Sequence, residues 1–279
     1  MVKIITDSAA DFEPSELKEL SIECIPLSVC FGAEQYKENI ELSKEEFFNK
    51  LKSSKEQVRT SQPSLHDIVD KFEEAEHNGE GGVAIFLSSK ISGTANTAKT
   101  AAEMTSCKRV FTVDSLSASA GQRLLVEYAV KLRRQGKTAA EIYRQLEKIK
   151  SKISLFACLD TVEYLHKGGR ISSAVAALGT ITHIKPIIRL SGGEVKLLAK
   201  GFSMRREIKN IAERLGREEL NPEFPIYVMY SDNVEPAKEM AEHIKKILPG
   251  IYNIKFARIG AVVGSHIGTN ACGAAFVKA

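Results

Sequence analysis

Blocks of hydrophobic and polar positions alternate along this chain in an order that predicts strands followed by helices. The clearest block begins with an apolar run at residues 83–87, continues through a hydroxyl-rich turn at 88–94, and ends in helix-favouring residues at 95–104. This order is typical of a buried strand, a turn and a helix whose N-terminus points back over the strand end. Because the first backbone N–H groups of a helix lack partners within it and carry partial positive charge, the turn predicts an anion site.

Two residues of this turn are candidate anion ligands. Ser92 can donate a hydroxyl hydrogen bond, and Gly93, which lacks a Cβ, lets an anion approach the backbone closely. A structural alternative stays open, since serine is also a common helix cap.

The rest of the first half continues the alternation of strands and helices. The predicted elements are strands at 2–5, 22–31 and 109–113 and helices at 13–20, 45–51 and 66–76. The strands at 2–5 and 109–113 run into Thr6-Asp7-Ser8 and Asp114-Ser115, and ligands of parallel sheets collect beyond such carboxyl ends. We therefore predict an α/β fold whose N-terminal domain, residues 1–155, is an open, mostly parallel sheet with helices on both faces.

The second half follows a different pattern, in which hairpins are mixed with helices. The predicted strands are 153–159, 185–190, 194–198, 226–230, 251–258 and one around Val262, and the predicted helices are 161–167, 173–180, 204–215 and 236–248. Strands paired through a Ser191-Gly192-Gly193 turn are typical of antiparallel pairing. We predict a C-terminal α+β domain at residues 156–279.

Composition and charge narrow the class of protein. A chain of 279 residues with 43% hydrophobic content can bury a substantial core. No apolar run approaches the roughly 20 residues that cross a bilayer, and the sequence opens with a strand instead of a cleavable leader, so we expect a cytoplasmic protein. Five scattered cysteines predict neither disulfides nor a metal site. The net charge of +4 is mild and interleaved with acids, which disfavours nucleic acid as a partner.

Three polar segments outside the first turn are candidates for function. Residues 59–64 crowd hydroxyls before a helix, Arg170 follows two glycines, and His266 stands in a glycine-rich segment at 264–270. Each has a structural alternative: a helix cap at Ser64, a solvent-facing arginine, and a histidine satisfied in the core. The basic stretch at 196–217 is either a docking patch for an acidic partner or an ordinary solvated face.

Taken in order, these motifs resemble the DegV family over essentially the whole chain. The motifs that carry the resemblance are Thr6-Asp7-Ser8, 60–64, 88–94, Asp114-Ser115, 164–171, Lys185-Pro186 and 264–268. The resemblance implies a fatty acid binding subunit of bacterial fatty acid kinase, with two α/β domains and a single fatty acid buried between them.

The resemblance also implies residue roles. The carboxylate would contact Thr60 and Ser61, Ser92 with the Gly93 backbone, and His266, with Arg170 near the site. This chain departs from the family at Thr269-Asn270, where members usually carry Pro-Gly after His-x-Gly. Because Asn tolerates a positive φ, we expect the loop to survive this change.

The predicted function is that of a carrier and not of a complete enzyme. The protein would hold a long-chain fatty acid and present its carboxylate to a separate ATP-binding kinase, which forms the acyl phosphate. No G-x-x-x-x-G-K-[ST] phosphate-binding loop occurs in the sequence, so ATP is expected to bind elsewhere, and no cofactor or metal is predicted for this chain. The resemblance assigns Lys200, Arg205 and Arg206 to docking of the kinase, and transient membrane contact for lipid exchange is a further expectation.

Two other classes of function stay open. A serine hydrolase would use Ser92 or Ser61 with His266 on acyl esters, although the sequence has no G-x-S-x-G elbow and no identified carboxylate to orient the histidine. A ligand-sensing interaction protein with no catalytic partner is the third class.

Overall fold

The computed structural model describes residues 1–279 except 55, 78, 80, 106, 172–183 and 251–252. The strands are β1 Lys3–Asp7, β2 Ile22–Ile25, β3 Ser28–Phe31, β4 Glu34–Lys37, β5 Val58–Ser61, β6 Gly82–Phe86, β7 Val110–Asp114, β8 Ile153–Cys158, β9 Lys185–Ser191, β10 Glu194–Gly201, β11 Ile226–Tyr230, β12 Ile254–Arg258 and β13 Cys272–Val277. The α-helices are α1 Pro14–Glu19, α2 Lys44–Ser53, α3 Leu65–His77, α4 Thr94–Met104, α5 Ser119–Arg134, α6 Ala139–Ile149, α7 Glu163–Lys167, α8 Met204–Leu215, α9 Glu235–Ile247 and α10 Ala261–Ile267, and short 3₁₀ helices cover Ser8–Ala10 and Lys150–Lys152.

The first sheet is parallel and has the strand order β2-β1-β6-β7. Successive side chains of β1 and β6 bury on opposite faces, because side chains alternate along a strand. Ile4 and Val83 pack in the cluster that includes α5, whereas Ile5 and Phe86 pack in the cluster that includes α3 and α4. Burial on both faces explains the continuous apolar run of this sheet, and it confirms the predicted parallel layer with helices on both faces.

The second sheet is mixed, with the strand order β10-β9-β8-β13-β11-β12. Only β11 and β12 pair in parallel among its described pairs, and the hairpin of β9 and β10 is antiparallel, as predicted. Helices α8 and α9 cover one face, and α5 packs against the other through the same core that it shares with the first sheet. The α+β character predicted for the second half is thus confirmed. The predicted domain boundary after residue 155 falls inside β8, and as a division into domains it stays a prediction.

A third, antiparallel sheet has the order β4-β3-β5 and lies beside α2 and α10. Its strand β5 contains Thr60 and Ser61, residues that the sequence pattern placed in a polar segment before a helix. The short sheet matters for the site because α10, which carries His266, packs next to it.

The prediction of one long strand at 22–31 is wrong. The structure has two strands, β2 and β3, which belong to different sheets and are separated at Pro26 and Leu27. Proline has no backbone N–H to donate to a ladder, and the Leu27 N–H donates to Ser8 Oγ at 3.0 Å instead. The chain therefore leaves the first sheet at this point and enters the third.

The prediction of a strand around Val262 is also wrong, since this residue lies in helix α10. The last strand, β13, was not predicted, although it lies inside the second sheet between β8 and β11. Its segment Gly273-Ala274-Ala275 has weak strand propensity, and Gly273 is packed against the backbone of Phe156, where a larger residue has no room. The predicted helix at 173–180 lies outside the described residues.

None of the helices in the described part of the chain is long and apolar enough to cross a membrane. All five cysteines are free thiols.

Candidate ligand-binding site

A cavity of about 340 Å³ is lined by residues of the second and third sheets, of α10, and of the loop that follows β6 in the first sheet. Most of its lining is aliphatic, and the aliphatic residues include Leu27, Leu87, Leu155, Ile188, Met229 and Ile267. The described lining residues include no aspartate or glutamate, and Arg170 is their one permanent cation. Such a wall suits a long apolar molecule with an anionic group.

The polar part of the lining contains every residue predicted for the carboxylate site. These residues are Thr60, Ser61, Ser92, Gly93, Arg170 and His266. They come from sequence positions more than 200 residues apart, and folding places them on one cavity. Their contact with a ligand stays a prediction.

His266 is the centre of this polar group. It lies in the last turn of α10, and its Nε2 is 3.0 Å from the Thr60 Oγ1 on β5. Burial, and to a smaller extent the neighbouring charge of Arg170, lower the pKa of His266 to about 4. The imidazole is therefore neutral at pH 7 and offers one N–H donor and one acceptor nitrogen.

Gly168 and Gly268 leave the space that His266 and its neighbour Tyr164 occupy. A Cβ on Gly168 would lie 2.8 Å from the Cε1 of His266, and even closer to Nδ1. Gly268 ends α10 with a φ of 80°, and a Cβ there would lie 2.7 Å from the Tyr164 ring. Both glycines therefore occupy positions where a larger residue would collide with a neighbouring ring. Asn270, in contrast, does not adopt a positive φ.

Arg170 connects two loops at the edge of the cavity. Its Nε donates to the Ile91 carbonyl at 3.1 Å, and its Nη1 donates to the Gly168 carbonyl. The guanidinium is half-buried, so the alternative of an arginine that simply faces water is wrong. Since guanidinium is always charged, Arg170 supplies the positive potential of the site.

The turn at 88–94 has the strand–turn–helix geometry that the sequence predicts. Ser92 Oγ accepts a hydrogen bond from the Thr94 N–H at 3.3 Å and lies 3.0 Å from Thr94 Oγ1, so this hydroxyl supports the start of α4. A Cβ on Gly93 would collide with the amide oxygen of Gln62. The backbone of Gly93 is thus in contact with the side chain of Gln62.

Two polar lining residues were not predicted. Gln62 borders the cavity and donates to Thr97 Oγ1 at 2.8 Å, and its only signal in the sequence is its place among the hydroxyls of 59–64. Ser119 borders the cavity with a φ of 53°, and it donates its hydroxyl to Asp11 Oδ2 at 2.5 Å. No sequence pattern marks Ser119, because its partner lies 108 residues away.

Comparison with known proteins assigns the chain to a family. A family model described as "Uncharacterised protein, DegV family" matches residues 1–279. The chain belongs to the DegV family. A DegV domain-containing protein of Clostridium perfringens is 36% identical over 273 residues, which cover 95% of this chain and 93% of that protein.

Two solved structures share the fold of this DegV family member. A DegV family protein from Thermus thermophilus, described by its fatty acid binding, has a TM-score of 0.88 at 26% identity and covers 100% of this chain and 99% of its own. DegV from Bacillus subtilis, described as a fatty acid binding protein, has a TM-score of 0.86 at 27% identity, with the same coverage of both chains. These likenesses confirm the predicted fold class.

The geometry of this DegV family member does not favour the serine hydrolase alternative. In the described hydrogen bonds, His266 Nε2 is engaged with Thr60, and Ser92 Oγ is engaged with Thr94. A histidine whose pKa is lowered to about 4 is also a weak base for activating a hydroxyl.

The basic residues assigned to docking lie away from the cavity lining. Lys200 is exposed near the end of β10, and Arg205 and Arg206 are exposed in the first turn of α8. Arg205 Nε lies 3.1 Å from Glu239 Oε1 in an exposed pair. The docking role of these three residues stays a prediction.

Proposed function

We propose that this protein binds one long-chain fatty acid in the cavity and presents its carboxylate to a separate ATP-dependent kinase for conversion to acyl phosphate. The observation that carries the proposal is the division of one cavity into an aliphatic wall and a connected group of hydrogen-bond donors. An acyl chain gains about 0.8 kcal/mol for each CH₂ that it buries in such a wall.

The head group requires donors, because an ionised carboxylate removed from water is costly unless it is paired. In the proposed complex, Thr60, Ser61 and Ser92 donate through hydroxyls, and Gly93 donates through its backbone N–H. The neutral imidazole of His266 gives its one N–H to Thr60 Oγ1, which leaves the Thr60 hydroxyl hydrogen for the carboxylate, and Arg170 supplies the compensating charge.

The two solved relatives support this assignment of ligand class. Both are described as fatty acid binding proteins, and both align with this chain over nearly its whole length. The polar residues of the cavity, apart from Ser119, lie on the motifs through which this sequence resembles the family.

The composition of the cavity supports the proposal that the carboxylate is handed to another protein. Its described lining offers neutral donors and one cation, but no carboxylate to act as a base. The proposed kinase docks on Lys200, Arg205 and Arg206, and a brief membrane contact is proposed for exchange of the lipid.

The fatty acid proposal is tested by native mass spectrometry of the protein as purified. We expect one long-chain fatty acid per chain, released unchanged by organic solvent, and restored when the stripped protein is mixed with oleate. A protein that purifies empty and does not take up oleate would contradict the proposal.

The same preparation can be used to distinguish a serine hydrolase from a fatty acid carrier. Activated acyl esters are expected to show no turnover above the rate in buffer, because no serine hydroxyl is hydrogen-bonded to His266 among the described residues. Turnover that disappears in Ser92→Ala would favour the hydrolase.

The docking surface is tested by reversing its charge in the double variant Arg205→Glu/Arg206→Glu. Oleate binding is expected to stay unchanged, since neither residue lines the cavity, whereas acyl phosphate formation with the cognate kinase and ATP should fall to background. The matched control is Lys245→Glu/Lys246→Glu, an equal charge reversal on the exposed last turn of α9, which should retain phosphorylation. Equal loss of lipid binding and phosphorylation in the first variant would argue against separate surfaces.

A further inference from the structure

Helix α10 forms one wall of the cavity, and two buried carboxylates hold its beginning. Asp11 Oδ1 accepts a hydrogen bond from the Gly260 N–H at 2.9 Å, and Glu38 Oε1 accepts one from the Val262 N–H at 3.0 Å. Asp11 is 1% exposed and Glu38 is 2% exposed. Carboxylates are stabilised at a helix N-terminus, where the backbone N–H groups are unpaired.

The backbone of this helix is shaped for close contact with both carboxylates. A Cβ on Gly260 would lie 2.8 Å from Asp11 Oδ1 and still closer to Glu38 Oε1. One turn later, a Cβ on Gly264 would lie 2.8 Å from the Phe47 ring. Since both glycines have room only for hydrogen, α10 is held between the carboxylates and the aromatic side chain.

A buried lysine completes the arrangement. Lys44 Nζ, whose side chain is 4% exposed, donates to the Asp11 carbonyl at 2.8 Å and to the Arg258 carbonyl at 3.0 Å. It also pairs with the half-exposed Glu13 at 2.8 Å. The lysine therefore ties the segment that leads into α10 to the same part of the fold as Asp11.

The opposite end of α10 carries His266, whose Nε2 lies 3.0 Å from Thr60 Oγ1. Val262 and His266 are four residues apart, so they lie on the same side of the helix, and both border the cavity. A shift at the N-terminus of so short a helix moves the imidazole with it.

We propose that Asp11 and Glu38 are positioning residues for the fatty acid head group, because they fix the helix that places His266 against Thr60. The inference rests on the proposed function for its ligand and on the geometry of α10 for its mechanism. Burial raises the pKa of Glu38 to about 7 and that of Asp11 to about 6, so the ionised forms are costly to hold in the fold.

The experiment compares oleate with oleyl alcohol, which has the same tail but no carboxylate. In Glu38→Ala, the affinity for oleate should fall by about tenfold, because the donor geometry for a charged ligand is lost. The affinity for oleyl alcohol should stay within about twofold, because the aliphatic wall keeps its contacts. Glu38→Gln retains an acceptor for the Val262 N–H and should restore the preference for oleate.

Two further variants complete the design. Glu13→Gln removes the exposed partner of Lys44 and serves as the matched control, with both affinities unchanged. Gly260→Ala pushes both carboxylates off the backbone at a φ of −83° that alanine accepts, and it should reproduce the selective loss even where Glu38→Ala fails to fold.

The NMR signals of the His266 ring in ligand-free protein give a readout independent of binding. They should shift in Glu38→Ala and Gly260→Ala but not in Glu13→Gln. Equal losses for oleate and oleyl alcohol, or unshifted ring signals, would overturn the positioning role. Failure of the unmodified protein to bind oleate would instead overturn the proposed function.

Discussion

Gly168→Ala is expected to weaken oleate binding by about tenfold while leaving the fold intact, because it displaces the His266 imidazole from Thr60. The added methyl group would lie 2.8 Å from His266 Cε1 and closer still to Nδ1, so the ring has to move. Gly168 has a φ of −76°, which alanine adopts without strain, so the backbone should stay in place. The loss therefore reports on the head-group site and not on unfolding.

The measurement is oleate affinity by titration calorimetry, together with the thermal midpoint of each protein. Gly169→Asn is the matched control in the same loop. Gly169 has a φ of 71° that asparagine tolerates, and no atom lies within 4 Å of a Cβ at that position. Unchanged oleate affinity in Gly168→Ala would show that His266 does not hold the carboxylate.

Arg123→Met is expected to cost about 3 kcal/mol of unfolding free energy, because it breaks a buried ion-pair network. The Arg123 side chain is 5% exposed, donates to Glu16 Oε2 at 3.0 Å and pairs with Glu127 at 3.2 Å. Its guanidinium carbon also lies 4.3 Å from the centre of the Phe12 ring and 5.0 Å from that of Tyr227. Removing the cation takes this partner from two partly buried carboxylates, of which Glu127 keeps Lys255 at 3.2 Å.

Urea denaturation measures this loss as a lower midpoint with an unchanged slope. Arg205→Met is the control, since its pair with Glu239 is exposed and screened, and we expect almost no change in the midpoint. Similar midpoints for the two variants would mean that burial adds nothing to the Arg123 network.

The elements that were predicted well are those in which the spacing of apolar residues along the sequence coincides with the residues that become buried in the fold. Helix α8 and strand β11 have the bounds that the sequence predicts, because each buries a single well-defined set of apolar side chains. The hairpin of β9 and β10 was predicted from its Ser-Gly-Gly turn, where Gly192 and Gly193 both have positive φ. Such signals are local, so they can be read without knowledge of the fold.

Elements whose identity depends on distant contacts were predicted poorly. Val262 was placed in a strand from its apolar neighbours, whereas the backbone N–H groups at the start of α10 are satisfied by carboxylates more than 220 residues away. Strand β13 was missed because small residues fit between β8 and β11 without showing strand propensity of their own.

By itself, the sequence determined the α/β class, the parallel first sheet and the set of polar motifs that border the cavity, because hydrophobic period, turn chemistry and residue type are local properties. Only the tertiary structure decided that Thr60 meets His266, that Ser119 turns to Asp11, and that Asp11 and Glu38 hold α10. Those contacts join residues 108 to 249 positions apart, and their partners are chosen by packing between sheets, which no local pattern encodes.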